Sequence, residues 1–301
     1  MGLLTRALSH PRVAPELLQR AAEPPPGPGL FATWTGVAGL RLEHVAPEKT
    51  TTLLFDPYVT RQSFAQLALP LGSDEATALR AFPTADALFV GHSHHDHLAD
   101  AIPLALRTGA TIYGSATTCM IARAGGVPAS KCMALQDGQR VTIGPFEVQA
   151  FEHVHGSSAL GIPFPGEVTK PPPWPPFIWQ LKAGHVLAFA IRVAGKTLYH
   201  QGSGGLTDHQ LTQVKDLKPE IAFIGIALRQ NTPDFEERLF GALQPKTVVA
   251  MHHDDFFGPT LTDDFPHLRG VDLPAFVAKT AQLLGAEAYL AQKPFARMAV
   301  R

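Results

Sequence analysis

Residues 87–97 read ALFVGHSHHDH, an apolar run that leads directly into four histidines and one aspartate. The run ALFVG predicts a buried β-strand, because a short continuous apolar stretch is typical of one. In an extended strand His92 and His94, two residues apart, point to the same face, as two ligands of one metal require. Asp96 and His97 then fall at the start of a helix, where the helix dipole favours a carboxylate. Neutral imidazoles with a carboxylate suit zinc, and also iron or manganese, whereas the alternative is a solvated polar turn.

Short β-rich runs alternate with helical stretches on both sides of this cluster. Strands are predicted at residues 31–45, 51–55, 87–91, 110–114, 146–154, 185–193, 196–200, 221–226 and 246–251. One helix is predicted over residues 96–109, where Gly109 ends it. A second helix is predicted near the C-terminus, with Asp272 as its N-cap and Pro274 in its first turn. This alternation predicts a layered α/β body whose sheets bury their apolar faces under helices.

Two segments differ from this pattern. Residues 1–21 read as a weak helix followed by the link EPPPGPG, so we expect an N-terminal helical appendage with its link over 1–29 and one domain over 30–301. Residues 161–177 hold seven prolines together with Phe164, Trp174 and Phe177. Proline supplies no amide donor to a central strand. This segment is therefore either a surface connection or an apolar lid that borders the substrate entrance.

Bulk composition excludes several classes of function. The chain has 301 residues, 25 of them basic and 26 acidic, and a formal net charge of -1. Without a basic surplus we expect no nucleic-acid partner. No apolar run reaches the roughly 18 residues of a membrane-spanning helix, so no integral membrane segment is expected. Only Cys119 and Cys132 are present, which suits a reducing cytoplasm, and the oligomeric state is left open.

Further motifs follow the expected order of a known family. They are DPYV (56–59), AFEHVHG (150–156), LYHQGSGGL (198–206) and VVAMHHDDF (248–256). Together with the HxHxDH pattern at His92, they resemble the metallo-β-lactamase superfamily over most of the chain. The chain is most similar to the branch of L-ascorbate-6-phosphate lactonase and N-acyl-phosphatidylethanolamine phospholipase D. The resemblance implies a four-layer αββα sandwich and a metal-dependent hydrolase for a phosphodiester, lactone or ester, including lipid-like substrates.

The resemblance also implies a dinuclear centre. Its ligands, three for each ion, would be His92, His94 and His153 for one and Asp96, His97 and His252 for the other. We expect two zinc ions, with manganese or iron as alternatives. The ions would share a hydroxide that attacks a carbonyl or phosphoryl centre, with Asp96 orienting it as a catalytic residue. The leaving group would take its proton from metal-bound water or from His200. Hydrolysis is expected rather than redox chemistry, because the diiron branch typically has a carboxylate where His94 stands.

Ser203 departs from the family, which usually has a metal-bridging aspartate at this position. If three ligands per ion suffice, the enzyme is active and the hydroxyl contributes little to metal binding. Otherwise the chain is a catalytically silent descendant that binds metal or another ligand. Loss of a hard oxygen ligand favours zinc over iron or manganese.

Other polar residues lie beside the expected ligands. Asp56 is expected to accept a hydrogen bond from a ligand histidine, unless it is only a strand-end turn residue. His155, His253, Asp254 and Asp255 are candidates for hydrogen bonds to substrate or ligands. Asp254 or Asp255 is also an alternative source of the missing carboxylate.

Overall fold

The computed structural model describes residues 17, 24, 26–157, 164–258 and 265–301, which form two mixed β-sheets flanked by helices. In spatial order, the first sheet contains β13 (Arg297–Ala299), β1 (Gly29–Gly36), β2 (Gly39–Val45), β3 (Thr50–Phe55), β4 (Ala87–Phe89), β5 (Thr111–Gly114) and β6 (Cys132–Ala134). The second contains β12 (Thr247–Met251), β11 (Ile221–Gly225), β10 (Lys196–Gln201), β9 (Val186–Val193), β8 (Phe146–His153) and β7 (Arg140–Ile143).

Helices cover the outer face of each sheet. They are α1 (Glu75–Ala81), α2 (His95–Leu98), α3 (Ala101–Thr108), α4 (Ala116–Ala124), α5 (Asp208–Val214), α6 (Phe235–Leu243) and α7 (Leu273–Leu284). Strands β3 to β6 run parallel, as do β10 to β12, and such neighbours require crossover connections. Apolar residues of α1, α3 and α4 pack against the first sheet, and those of α6 and α7 pack in the core of the second.

The two sheets meet through large apolar side chains. The ring centroids of Phe55 and Phe89, on the first sheet, each lie 5.6 Å from that of Phe189 on the second. All three rings are fully buried, and each stabilises the fold by about 1.5–3 kcal/mol relative to exposure. Helix, sheet, sheet and helix therefore form successive layers, and the predicted α/β four-layer αββα sandwich is confirmed.

Local signals located several element ends correctly. Helix α3 ends at Gly109, whose φ of 74° suits glycine, and the Asp272 carboxylate caps α7 by accepting from the Ala275 amide at 2.8 Å. The single strand expected over 31–45 is wrong, because it is a hairpin of β1 and β2. Its turn includes Val37 with a φ of 49°. The helix expected over 96–109 is interrupted between α2 and α3.

Parts of the two unusual segments lie outside the described residues. These are residues 1–16, 18–23 and 25 of the expected appendage and residues 161–163 of the proline-rich segment, so the domain boundary stays a prediction. Leu17 packs against the core, and its carbonyl accepts a hydrogen bond from the Tyr289 hydroxyl at 3.2 Å. Across the ranges given above, no helix combines the length and apolar character that crossing a bilayer requires.

Candidate metal centre

The candidate centre lies where parallel strands β3 and β4 end side by side. Phe55 pairs with Phe89, so the residues that follow each strand emerge at the same edge of the sheet. The Asp56 amide donates to the Phe89 carbonyl at 2.8 Å, which extends this pairing by one residue. His92 lies three residues beyond β4, and Asp96 and His97 lie on the short helix α2.

Two groups of three metal-binding side chains come together at this edge. They are His92, His94 and His155 in one group and Asp96, His97 and His252 in the other. Within each group the potential ligand atoms all lie within 4.8 Å of one another. Five of the six expected ligands are thus brought together in the expected grouping. The exception is His153, because His155 occupies its place beside His92 and His94.

His155 is suited to this place by the bond at its other ring nitrogen. Its Nδ1 lies 2.8 Å from the Gly156 carbonyl, which can only accept, so Nδ1 carries the proton and Nε2 is left as a ligand. The His155 ring centroid is 4.8 Å from that of His92 and 4.9 Å from that of His94. His153, the last residue of β8, is buried and belongs to neither group.

Buried ring nitrogens without hydrogen-bond partners provide a test of whether the residues fit a metal. Neither nitrogen of His92 has a partner in the described structure, nor do Nε2 of His97 and Nδ1 of His252. A buried polar atom left unpaired costs about 1–3 kcal/mol, so such atoms are rare in native proteins. Metal coordination would satisfy one nitrogen of each ring, and neutral imidazoles with one carboxylate are a fitting donor set.

Charge at the centre is set by burial and by close neighbours. The Asp96 Oδ2 atom lies 3.2 Å from His252 Nε2 and 3.6 Å from His97 Nε2. Burial raises the pKa of Asp96, but His97 and His252 outweigh it and hold this pKa well below its usual range. Burial and the neighbouring His97 and His94 hold the pKa of His92 well below its ordinary value. The centre therefore offers an ionised carboxylate and a neutral imidazole, the forms that bind metal.

Asp56 contacts one of the candidate ligands, His97, as expected. Its Oδ1 accepts the Gly91 amide at 2.6 Å, and its Oδ2 lies 3.0 Å from His97 Nδ1. This contact orients the His97 ring so that Nε2 faces Asp96. A Cβ atom on Gly202 would lie only 2.5 Å from Asp56 Oδ2, so the turn that carries Ser203 packs directly on this carboxylate.

His200 is fully buried and lies away from the cavity beside the ligands. Its Nε2 donates to the Ala38 carbonyl at 2.8 Å, and its ring packs against Phe55 and Phe189. Burial lowers the pKa of His200, so the ring is neutral. The proton-donor role expected as one possibility for His200 gains no support from this position, which instead fits a histidine that holds the sheet edge together.

Ser203 has a specific partner that its residue type alone does not reveal. Its Oγ accepts the Gly156 amide at 3.0 Å, and the side chain is buried. Since the Gly156 carbonyl accepts from His155, the hydroxyl braces the segment that positions a candidate ligand. The expectation that this hydroxyl contributes little is therefore modified by the structure.

Asp254 is not available as a substitute carboxylate. It is fully buried, forms an ion pair with Arg61, and accepts the Val37 amide at 2.9 Å. His253 likewise faces away, with its Nδ1 3.2 Å from His267 Nδ1 and its ring 4.7 Å from Trp34. These contacts join the loop after β12 to the turn between β1 and β2.

The proline-rich segment borders the site through its first part only. Phe164 lines a cavity beside the candidate ligands, and its carbonyl lies 3.3 Å from His94 Nε2. Trp174 packs instead near Gly125. A Cβ atom added to Gly125 would lie 3.0 Å from the Trp174 ring. Phe177 stacks on Trp179 at 4.5 Å. The lid interpretation therefore applies to Phe164, whereas Trp174 and Phe177 do not line this cavity.

We predict that the metal-free protein loses stability steeply in mild acid. Burial lowers the pKa of His94 and of His153 to about 3 and that of His155 to about 4. In the unfolded chain each of these imidazoles has the ordinary histidine pKa of about 6.5 and takes up a proton below that pH. Stability is thus fully present above pH 6.5 and falls towards pH 3, by about 1.4 kcal/mol per pH unit for each ring.

Calorimetry of chelator-treated protein between pH 7.5 and 4.5 measures this effect. The melting temperature should drop progressively as the pH falls below about 6.5. A melting temperature that stays constant down to pH 5 would mean that these rings are already protonated or exposed in the folded chain.

Comparisons with known proteins agree with this architecture. Residues 51–253 match the family model described as "Beta-lactamase superfamily domain". A "UPF0173 metal-dependent hydrolase" of Carboxydothermus hydrogenoformans is 29% identical over 225 residues, 74% of this chain and 84% of that protein. The structure of Igni18, a metallo hydrolase from Ignicoccus hospitalis, is similar with a TM-score of 0.57 at 16% identity, over 89% of this chain and 97% of that one.

A diiron β-hydroxylase, CmlA from Streptomyces venezuelae, shares the fold with a TM-score of 0.59 at 13% identity, over 92% of this chain and 55% of that one. At this identity the likeness concerns the fold alone. The family match covers most of the chain and includes both groups of candidate ligands. The chain therefore belongs to the β-lactamase superfamily domain family and has the metallo-β-lactamase fold.

Proposed function

We propose that the protein is a hydrolase whose centre holds two divalent metal ions, with zinc as the first choice. The observation that carries this proposal is the pair of three-residue groups, His92/His94/His155 and Asp96/His97/His252, at one sheet edge. Three protein ligands plus an open position are what a catalytic zinc ion needs. Relatives that are named metal-dependent hydrolases support the same conclusion. The substrate would be an ester, lactone or phosphodiester.

Each side chain then has a distinct task. When bound, the metal ions would lower the pKa of a water molecule and act as a Lewis acid towards the oxygen that gains charge during hydrolysis. The Asp96 carboxylate faces both His97 and His252 and orients the second group. Gly156 holds the proton of His155 on Nδ1, and Asp56 fixes the ring of His97. The apolar walls beside Phe164 lower the local dielectric constant, which strengthens electrostatic interactions in the centre.

A second candidate function is that of a catalytically silent protein that binds metal or ligand. The presence of Ser203 in place of an aspartate favours it, because a neutral hydroxyl cannot neutralise charge between two cations. The two functions differ in the number of ions that the natural sequence holds. They also differ in whether any ester, lactone or phosphodiester is turned over.

Zinc titration into chelator-treated protein, followed by calorimetry, separates the two functions. The natural chain should bind two equivalents, and Ser203→Asp should bind them more tightly. Ser203→Ala should weaken one site, since the buried Gly156 amide loses its acceptor at a cost of about 1–3 kcal/mol. Two sites only in Ser203→Asp, with no turnover of any substrate class by the natural chain, would favour the silent protein.

A further inference from the structure

An apolar cavity opens directly beside the candidate metal centre. Its volume is about 390 Å³, and His94, Asp96 and His252 form part of its lining. Large apolar side chains from separate segments form the walls, among them Phe64, Phe164, Leu181, Phe256, Phe257 and Leu268. A substrate with its scissile bond at the centre would therefore place an attached group against hydrocarbon.

The dimensions and charge of this cavity limit what that group can be. An apolar cavity of about 150 Å³ binds benzene, so this one has room for on the order of a dozen carbon atoms. Asp96 and Arg269 are the charged side chains among its described lining residues, and Asp96 belongs to the centre itself. A compact polar substrate would leave the aromatic walls in contact with water and would gain nothing from them.

The apolar surface continues outward from the cavity. Phe64 lines the cavity and yet is 76% exposed, and its ring meets that of Phe257 edge-on at 5.8 Å. Leu67, on the same short turn, also lines the cavity. An exposed phenylalanine at the mouth provides a path for a hydrocarbon chain from solvent to the centre.

A second cavity, of about 510 Å³, adjoins the candidate ligands. His94 and His155 line both cavities, and the second also contains Glu152, Glu167 and His185. The His185 Nδ1 atom lies 2.9 Å from a Glu152 carboxylate oxygen, and its Nε2 atom lies 2.8 Å from a Glu167 carboxylate oxygen. Two candidate ligands thus border both an apolar cavity and one that carries charged and hydrogen-bonding groups.

We propose that the substrate is an amphiphilic ester whose acyl chain occupies the apolar cavity and whose polar alcohol portion faces the second cavity. The proposal rests on the proposed function and adds the substrate class to it. In the reaction, water adds its hydroxyl to the acyl carbon, the bond from that carbon to the ester oxygen breaks, and the departing alcohol takes the proton. The products are a carboxylic acid and an alcohol.

Hydrolysis of p-nitrophenyl acetate, butyrate and octanoate by the zinc-loaded protein tests the proposal. Each buried methylene should raise kcat/KM by about fourfold, so octanoate should exceed acetate by at least about 100-fold. Leu67→Trp narrows the cavity mouth and should reduce the octanoate-to-acetate ratio by about tenfold or more. Leu283→Trp, which changes an exposed leucine on α7, is the matched control and should leave the ratio unchanged.

Binding of 1-decanol and 1-butanol to the chelator-treated protein tests the cavity independently of turnover. Decanol should bind far more tightly than butanol, and Leu67→Trp should weaken decanol binding while Leu283→Trp should not. Chelator-sensitive hydrolysis with equal rates for acetate and octanoate would overturn the substrate class but leave the hydrolase intact. Failure of decanol to bind would also overturn the inference. Decanol binding without hydrolysis of any ester would instead refute the proposed function for esters.

Discussion

Replacement of Asp96 by alanine is expected to reduce hydrolytic turnover by more than about 100-fold. Loss of a residue that only orients a metal ligand typically costs about 10–100-fold, and loss of a ligand itself should cost more. Asp96 is the one carboxylate in the two groups of candidate ligands. Its removal leaves His97 and His252 as the remaining members of the second group. The same variant should lose close to one equivalent of bound metal.

Elemental analysis and turnover on the same preparation measure both effects. Asp208→Ala is a matched control, because this carboxylate is exposed, pairs with Arg238 and belongs to neither group of candidate ligands. The control should retain full metal content and rate. If Asp96→Ala keeps both its activity and two equivalents of metal, the second group does not form the catalytic centre.

Asp56→Asn is expected to lower metal affinity of the second group by about 10–100-fold, which is typical for the outer partner of a ligand histidine. Asparagine keeps the size of the side chain and tolerates the φ of 43° at this position. It removes the negative charge, however, and its single oxygen cannot both accept the Gly91 amide and orient His97. Turnover should fall in parallel, because the His97 ring is no longer held towards Asp96.

Competition with a chromophoric chelator gives the affinity of each site. Asp100→Asn is the matched control, since Asp100 is also fully buried but accepts the amides of Val59 and Thr60 at 2.6 and 2.9 Å. It should lower the melting temperature and leave metal affinity unchanged. Equal metal affinity in Asp56→Asn and the natural chain would mean that the contact with His97 does not tune the ligand.

Short-range patterns in the sequence are sufficient to predict the strand that leads to the centre and the ends of two helices. The run ALFVG (87–91) is continuously apolar because β4 is buried on both faces, and it passes directly into His92. Gly109 and Asp272 mark helix ends because left-handed backbone and N-capping are properties of single residues. Such signals need no knowledge of distant residues.

Other elements depend on contacts that the sequence does not display locally. Strand β13 is three residues long, and its pairing with β1 joins residues more than 260 positions apart. The hairpin of β1 and β2 reads as one apolar stretch, and its turn is held by the Asp254 carboxylate on the Val37 amide. A turn stabilised by a side chain from the other end of the chain has no local signature.

By itself the sequence therefore determined the layered α/β fold, the HxHxDH cluster and most of the candidate ligands, because apolar periodicity and ligand spacing are local properties. Only the tertiary structure decided between His153 and His155, which are two residues apart and would share a face of a continuing strand. Strand β8 ends at His153, and the following segment is held by the bond from Gly156 to Ser203. That bond spans 47 positions, and it brings the later histidine to the centre.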